Sequence, residues 1–227
     1  MKRNYKIAID GPSGVGKSTL AKALASELNF IYVDTGAIYR TVGLYAQLEN
    51  INPSDESTLS DHFSKMDIQL KWIDGSQHVI LNGNDVSEDI RTPRSSMYAS
   101  AVSALPAVRA FLLSKQREIA DNNSVIMDGR DIGTVILPDA DVKIFMSADE
   151  ESRAKRRFKE LIDKGQKVSY EEVLSDMKKR DHNDSTRSAS PLIPADDAIM
   201  FDNTCLNIEQ TIEEAKKIIL EKIGNEF

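Results

Sequence analysis

Hydrophobic and polar positions along this chain change period in a regular way, and the change predicts strands alternating with helices. Tyr5 to Asp10 (Tyr-Lys-Ile-Ala-Ile-Asp) reads as a strand, followed by a glycine-rich stretch from Gly11 to Gly16. Leu20, Leu24 and Leu28 then recur at every fourth position with Ala21 and Ala25 beside them, the apolar stripe of a helix over Lys17 to Asn29. Phe30 to Val33 is a second short strand ended by Asp34-Thr35-Gly36, and a helix is expected from Ala37 to about Leu48. Further along, the pattern predicts helices at Arg94 to Ser103 and Ala107 to Asn122 and strands at Ser124 to Asp128 and Val142 to Ser147. A charged helix from Asp149 to Lys164, a helix from Tyr170 to Asp181, a strand at Ala198 to Asp202 and a terminal helix at Asn207 to Ile223 complete the series. Alternation of this kind implies an α/β fold, a parallel sheet with helices on both faces.

The stretch from Asn50 to about Glu88 breaks the alternation. Asp55 to Lys65 reads as helical; Asp67 to Ile73, Gln77 to Leu81 and a segment at Val86 then read as short strands. They are separated by Asp74-Gly75 and Asn82-Gly83, dipeptides that favour the positive φ angles of tight hairpins. An antiparallel patch inside a βα chain is expected to be an insert in a single domain spanning residues 1–227, with the inserted subdomain at about 38–98.

Composition narrows the partners. Hydrophobic residues at 41% beside 29% charged residues are an ordinary globular balance, and runs such as Val142 to Met146 are far too short to span a bilayer. No export signal is read in Met1 to Lys6, and a single cysteine, Cys205, excludes an internal disulfide framework, so a cytoplasmic location is expected. Cys205 itself is expected to be inert packing. A net charge of −7 argues against a nucleic-acid polymer as partner, and no membrane partner is expected. Nothing in the pattern demands an oligomer, so a monomer is expected.

Gly11-Pro12-Ser13-Gly14-Val15-Gly16-Lys17-Ser18 matches G-x-x-x-x-G-K-[ST] at every specified position, between a predicted strand and a predicted helix. Glycines let backbone N–H groups converge on an anion, and the helix N-terminus adds its dipole. Lys17 can reach the β- and γ-phosphates, and the Ser18 hydroxyl can ligate Mg²⁺. The sheet is therefore expected to be of the P-loop NTPase type, with Gly11, Pro12, Ser13, Gly14, Val15, Gly16, Lys17, Ser18 and Thr19 around the triphosphate. A regulatory GTPase would need a D-x-x-G element, and no aspartate here is followed three residues later by glycine. The guanine-like string Ser64-Lys65-Met66-Asp67 begins with the wrong residue. A transferase should instead show polar acceptor-binding groups beyond the carboxyl ends of strands. Four stretches supply them: Asp34 to Arg40, Asp128-Gly129-Arg130-Asp131, Arg153 to Arg157, and Arg180 to Arg187.

With these motifs in order and at these spacings, and with Ile90-Arg91-Thr92 and Ile132-Gly133-Thr134-Val135 in place, the chain resembles the bacterial cytidylate kinases over essentially its whole length. The resemblance implies transfer of the γ-phosphoryl group of ATP to CMP or dCMP with Mg²⁺. It implies that Ser100, Arg109 and Asp131 read cytosine and that Arg40, Arg130 and Arg187 clamp the acceptor phosphate. Arg180 and Asp184 would meet the ribose, and Thr35 would stand on the acceptor side where serine is also found. Arg153, Arg156 and Arg157 would belong to a mobile lid at about 149–170, Arg156 on the ATP side, and the Asn50 to Glu88 insert would be the enlarged monophosphate-binding subdomain. Catalysis would fall to Lys17, Arg130, Arg153, Arg157 and Arg187.

No classical base is needed, because a phosphate monoester is already an anion at neutral pH. Consistent with this, His62, His78 and His182 are scattered and expected at the surface. An alcohol-phosphorylating kinase would instead need a base, Asp34 or Asp128. Whether Asp10 or Asp128 supports the magnesium shell is open at this point, as are CMP against dCMP preference and activity on UMP.

Overall fold

The computed structural model describes residues 3–73 and 76–224, the Pro93 side chain aside. In chain order the elements are β1 (Lys6–Asp10), α1 (Lys17–Leu28), β2 (Ile31–Asp34), α2 (Thr35–Leu48), α3 (Glu56–Asp61), β3 (Ile68–Ile73), β4 (Ser76–Leu81) and β5 (Asn84–Asp85). They continue with α4 (Pro93–Val102), α5 (Pro106–Asn122), β6 (Val125–Gly129), a π-helical turn at Ile132–Ile136, β7 (Val142–Ser147), α6 (Glu150–Asp163), α7 (Tyr170–Thr186), β8 (Ile199–Asp202) and α8 (Ile208–Ile223). Five strands form one parallel sheet in the order β2-β6-β1-β7-β8.

Strand β1 shows why the sheet is covered on both faces. Ile7 and Ile9 enter a core shared with Leu20, Leu24 and Leu28 of α1 and Ala215 and Ile219 of α8. Ala8, between them, points into the opposite core with Ala120 of α5 and Ile132 and Ile136 of the π turn. The two-residue period of a strand thus serves two helical layers at once. Helices start where their sequences allow it. Asp34 caps α2 through Ala37 N–H, and Asp149 caps α6 through Ser152 N–H. Capping boxes Ser169/Glu172 and Asn207/Gln210 open α7 and α8.

The insert is an antiparallel sheet, β3-β4-β5, packed with α2, α3 and α4 around its own core of Leu59, Met66, Ile68, Val79 and Leu81. Two side chains fasten it to edge strand β2: Trp72 Nε1 donates to Tyr32 O (3.1 Å), and Asp34 N–H donates to Gln77 Oε1 (2.8 Å). Helices α6 and α7 pair over a fourth, smaller cluster of Ala154, Leu161, Val173 and Met177.

The structure departs from the pattern reading in several places. The 55–65 segment is a short α3 followed by a 3-10 turn at Phe63–Lys65, and the third strand of the insert is Asn84–Asp85, just before Val86. Asn82 and Gly83 do turn with positive φ, 50° and 85°, whereas the Asp74-Gly75 turn lies outside the described residues. Helix α7 runs on to Thr186, five residues past Asp181. The Asp-His-Asn-Asp-Ser-Thr tail has weak helix propensity, but Ser185 and Thr186 donate back to the carbonyls of Asp181 and His182, and Asp181 and Asp184 have arginine partners. Cys205 is exposed rather than packed, because β8 ends at Asp202 and the chain has left the core. Among the described residues no single helix is long and apolar enough to cross a membrane.

Candidate active site

The glycine-rich loop joins β1 to α1 at the carboxyl end of the central strand. Gly11 has φ 148°, and a Cβ there would lie 2.4 Å from the Met146 carbonyl oxygen, so only glycine lets the loop pass β7. Gly16, at φ 101°, is the N-cap of α1 and makes no side-chain cap bond, leaving the first-turn amides of that helix to meet an anion. Lys17 is buried, and its Nζ donates to the carbonyls of Gly11 and Pro12, both at 2.7 Å. Burial, and after it the Arg130 charge, pushes the Lys17 pKa down to about 7 against the attraction of Asp128, Asp10 and Asp184.

The two candidate magnesium aspartates separate cleanly. Asp10 accepts from the N–H groups of Ile132 (2.9 Å) and Gly133 (2.8 Å), so both its oxygens anchor the π turn. Asp128, at the end of β6, accepts from Ser18 Oγ at 2.8 Å and from Tyr32 OH at 2.9 Å. Each pKa is raised to about 6, by burial first; backbone donors oppose the rise at Asp10, while the Asp34 charge adds to it at Asp128. Among the described residues no group of three or more acidic, histidine or cysteine side chains is set to hold a metal. A hydroxyl beside one carboxylate fits Mg²⁺, which keeps several waters and takes substrate phosphates rather than an all-protein cage.

Asp131 follows β6 and is buried with Arg109 of α5, whose Nη2 donates to its carboxylate. Arg187 Nη2 approaches the other oxygen at 3.6 Å. Arg109 is held further by Ser103 O and Ser190 Oγ, both at 3.0 Å, and lies over the Tyr39 ring at 5.5 Å. Tyr39, Arg109, Gln116 and Ser190 line a cavity of about 260 Å³. Arg40 pairs with Asp34 at 2.7 Å. Ser100 lies on α4, its carbonyl accepting from Ser103 Oγ. The Thr35 hydroxyl donates to Asp128 O at 2.7 Å, tying the start of α2 to β6.

Further arginines gather at the loop. Arg130 donates from Nε to Asp184 (2.7 Å) and from Nη2 to Ser13 Oγ (3.0 Å). Burial works against its charge, but the Asp184 carboxylate outweighs it and holds the pKa above the ordinary value. Arg153 is buried against the loop, donating to Ser13 O at 2.9 Å and to Asp181. Arg180 makes no hydrogen bond among the described residues. Burial and then Arg130 push its pKa down to about 10; Asp184 opposes the shift, while Arg157 and Arg40 add to it. Arg180 thus lies among Arg130, Arg157 and Arg40, each of which has a carboxylate of its own in Asp184, Glu160 and Asp34. Arg157 is half-buried and donates to Glu160 (2.7 Å), and Arg156 reaches the loop after β8, donating to Asn203 Oδ1 (3.1 Å) and Asn203 O (2.8 Å).

The fold thus brings together Lys17, Ser18, Arg130, Arg153, Arg180 and Asp184 around the loop, with Asp131, Arg109 and Arg187 as a second cluster. Three participants escaped the sequence reading: Tyr32 on Asp128, Tyr39 under Arg109, and Asp181 on Arg153. Asp181 and Tyr39 carried a signal, as members of the R-D-x-x-D-x-x-R run and of the Asp34 to Arg40 stretch, whereas Tyr32 carried none. His182, in the same run, is exposed.

Comparison with known proteins agrees with this chemistry. A family model described as Cytidylate kinase matches residues 7–221. Cytidylate kinase from Caldicellulosiruptor bescii is 50% identical over 224 residues, covering 99% of each chain. The enzyme of that name from Caldanaerobacter subterraneus is 50% identical over 222 residues, covering 98% of this chain and 97% of its own. Among solved structures, a shikimate kinase from Bacteroides thetaiotaomicron aligns at 13% identity with a TM-score of 0.46, covering 96% of this chain and 97% of that one. With a family model matched over residues 7–221 and identity of one half sustained from end to end, the chain belongs to the cytidylate kinase family.

Proposed function

We propose that this protein phosphorylates CMP or dCMP with the γ-phosphoryl group of ATP, giving ADP and CDP or dCDP. The observation that carries the reading is the arginine cluster gathered at the phosphate loop, in which the Arg180 side chain has no hydrogen-bond partner among the described residues and is pushed down to about 10 by burial and by its cationic neighbours. A site that holds guanidinium groups so close together is stabilised by polyanions, and two phosphorylated nucleotides supply them.

In this reading the loop amides and Lys17 hold the β- and γ-phosphates, while Arg40, Arg130 and Arg187 orient the acceptor phosphate. Arg153 and Arg157 complement charge on the transferring group, and Arg156 belongs to the ATP side. Ser18 and Asp128 would hold Mg²⁺, Ser18 directly and Asp128 through its contact with that hydroxyl; when bound, the ion would supply charge neutralisation to the nucleotide phosphates. The acceptor oxygen is already anionic near neutral pH, so positioning and charge stabilisation remain as the catalytic task. Asp34 and Asp128, the bases an alcohol acceptor would require, are committed to Arg40 and to Ser18 with Tyr32, which disfavours that chemistry. Asp131 and Arg109 offer an acceptor and donors matching the amine, ring nitrogen and carbonyl of cytosine, and Arg180 and Asp184 reach the sugar. The β3–β5 insert with its flanking helices would close on the monophosphate, and the α6–α7 pair would act as the lid that excludes water.

ADP release measured with ATP, magnesium and a panel of CMP, dCMP, UMP, shikimate and gluconate tests the reading. Turnover that needs CMP or dCMP is expected. Slow turnover indifferent to the panel would refute it.

A further inference from the structure

Ser13, at the apex of the phosphate loop, has all three of its polar groups taken by side chains from outside the loop. Its N–H donates to Asp181 Oδ1 at 3.1 Å, its carbonyl accepts from Arg153 Nη1 at 2.9 Å, and its hydroxyl accepts from Arg130 Nη2 at 3.0 Å. Arg153 and Asp181 are also paired with each other, which closes a ring: loop amide to carboxylate, carboxylate to guanidinium, guanidinium back to the carbonyl of the same loop residue. The ring joins three distant parts of the chain, the loop, α6 and α7. A second feature comes from packing. A Cβ on Gly14 would lie 3.2 Å from Arg153 O and 2.8 Å from the movable Met177 Cε, and φ there is 73°, so glycine at residue 14 favours close seating of the loop apex against the α6–α7 pair. Met177, Asp181 and Asp184 lie at i, i+4 and i+7 on α7, one face of the helix that reads the loop along its length.

We infer that Asp181 is a positioning residue for phosphoryl transfer. Its carboxylate sets the Arg153 guanidinium in register with the phosphate loop, so that the α6–α7 pair and the loop are held at a fixed offset while the phosphoryl group passes from donor to acceptor. Asp184 pairs with Arg130 in the same way one turn later, beside the uncharged partners Gly129 O and Ser13 Oγ. Arg153 has two backbone carbonyls as further partners, neither of which carries charge. Asp181 is the ionic partner that aims it. The inference rests on the phosphotransferase reading but not on which acceptor is used.

The test is a cycle of Asp181→Ala, Asp181→Asn, Arg153→Lys and the Asp181→Ala/Arg153→Lys double variant. Steady-state transfer to CMP is measured alongside acceptor-free ATP hydrolysis and thermal unfolding. A loss in kcat of about 10- to 100-fold is expected for Asp181→Ala, with KM for CMP within about threefold of the parent. Asp181→Asn keeps an acceptor for the Ser13 amide but not the charge, and is expected to lose nearly as much. In the Arg153→Lys background the same alanine change should cost less than about twofold, because the residue it positions has already been altered. Equal losses in both backgrounds, kcat within about twofold of the parent for both single variants, or a change confined to KM for CMP would each overturn the inference. Asp181→Asn decides the matter should the alanine variant unfold. The hydrolysis measurement reads the pair on the ATP side, so it stands even when the parent protein fails to use CMP, a result that would refute the acceptor assignment instead.

Discussion

Replacing Asp131 by asparagine separates base reading from structure in a way the geometry makes quantitative. The carboxylate is 3% exposed, accepts from Arg109 and lies 3.6 Å from Arg187, so neutralising it leaves two buried cations short of a counter-charge. Breaking one side of a buried pair costs about 3–5 kcal/mol. Asparagine keeps an acceptor oxygen and Arg109 retains Ser103 O and Ser190 Oγ, so the lower end, about 3 kcal/mol, is expected. In a domain of this size that corresponds to a fall in Tm of roughly 6–12 °C, read by scanning calorimetry. On activity, a hydrogen bond from the cytosine amine to a charged acceptor is worth about 1.5–3 kcal/mol, so kcat/KM for CMP should fall by about 10- to 150-fold. UMP presents a carbonyl at that position, which the carboxylate repels and the asparagine N–H₂ can meet, so its kcat/KM should fall much less or rise. The assay is ADP release with each acceptor on the folded variant at a temperature well below its Tm. An equal fractional loss for CMP and UMP would refute the base contact, and an unchanged Tm would refute the buried pair.

Other consequences can be checked directly. Lys17→Ala should lower kcat by several orders of magnitude with the circular dichroism spectrum retained, since among the described residues the hydrogen bonds of Nζ go to loop carbonyls; near-parental turnover would contradict its assignment. Asp128→Asn should raise the magnesium concentration for half-maximal activity by about tenfold, whereas Asp10→Asn should mainly lower stability by loosening the π turn; the reverse pattern would exchange their roles. Folded Asp10 and Asp128 keep protons up to about pH 6 while unfolded carboxylates release them near 3.8, so their contribution to stability falls as pH rises through that window. Lys17 titrates at about 7 when folded and near 10.5 when unfolded, so its contribution rises across that higher window; urea midpoints against pH, compared with the Asp128→Asn and Lys17→Met variants, test both signs.

Much of the fold was legible because its signals are local. The Leu20-Leu24-Leu28 stripe, the short apolar strands and the Asn82-Gly83 turn each follow from a period or a dihedral requirement contained within a few residues. The end of α7 was misplaced for the complementary reason. Its last turn is polar and weakly helical by itself, and it persists because Asp184 meets Arg130 and Asp181 meets Arg153, contacts across 54 and 28 residues. The π turn was invisible for the same cause, since it depends on Asp10 gripping two amides more than 120 positions away.

The site divides along the same line. A glycine loop that wraps phosphate can be read from eight consecutive residues, because its conformation is imposed by glycine φ angles and by the helix that follows. Which carboxylate serves Ser18, which arginine grips Ser13 and where Asp131 finds its cations depend on the strand order β2-β6-β1-β7-β8, which sets β6 next to β1 and brings the carboxyl ends of distant strands together. Sequence alone determined the kinds of group present and the loop that holds the phosphate. Tertiary structure alone decided their pairing, because charge pairing acts over a few ångströms and separation along the chain says nothing about distance once a parallel sheet has closed.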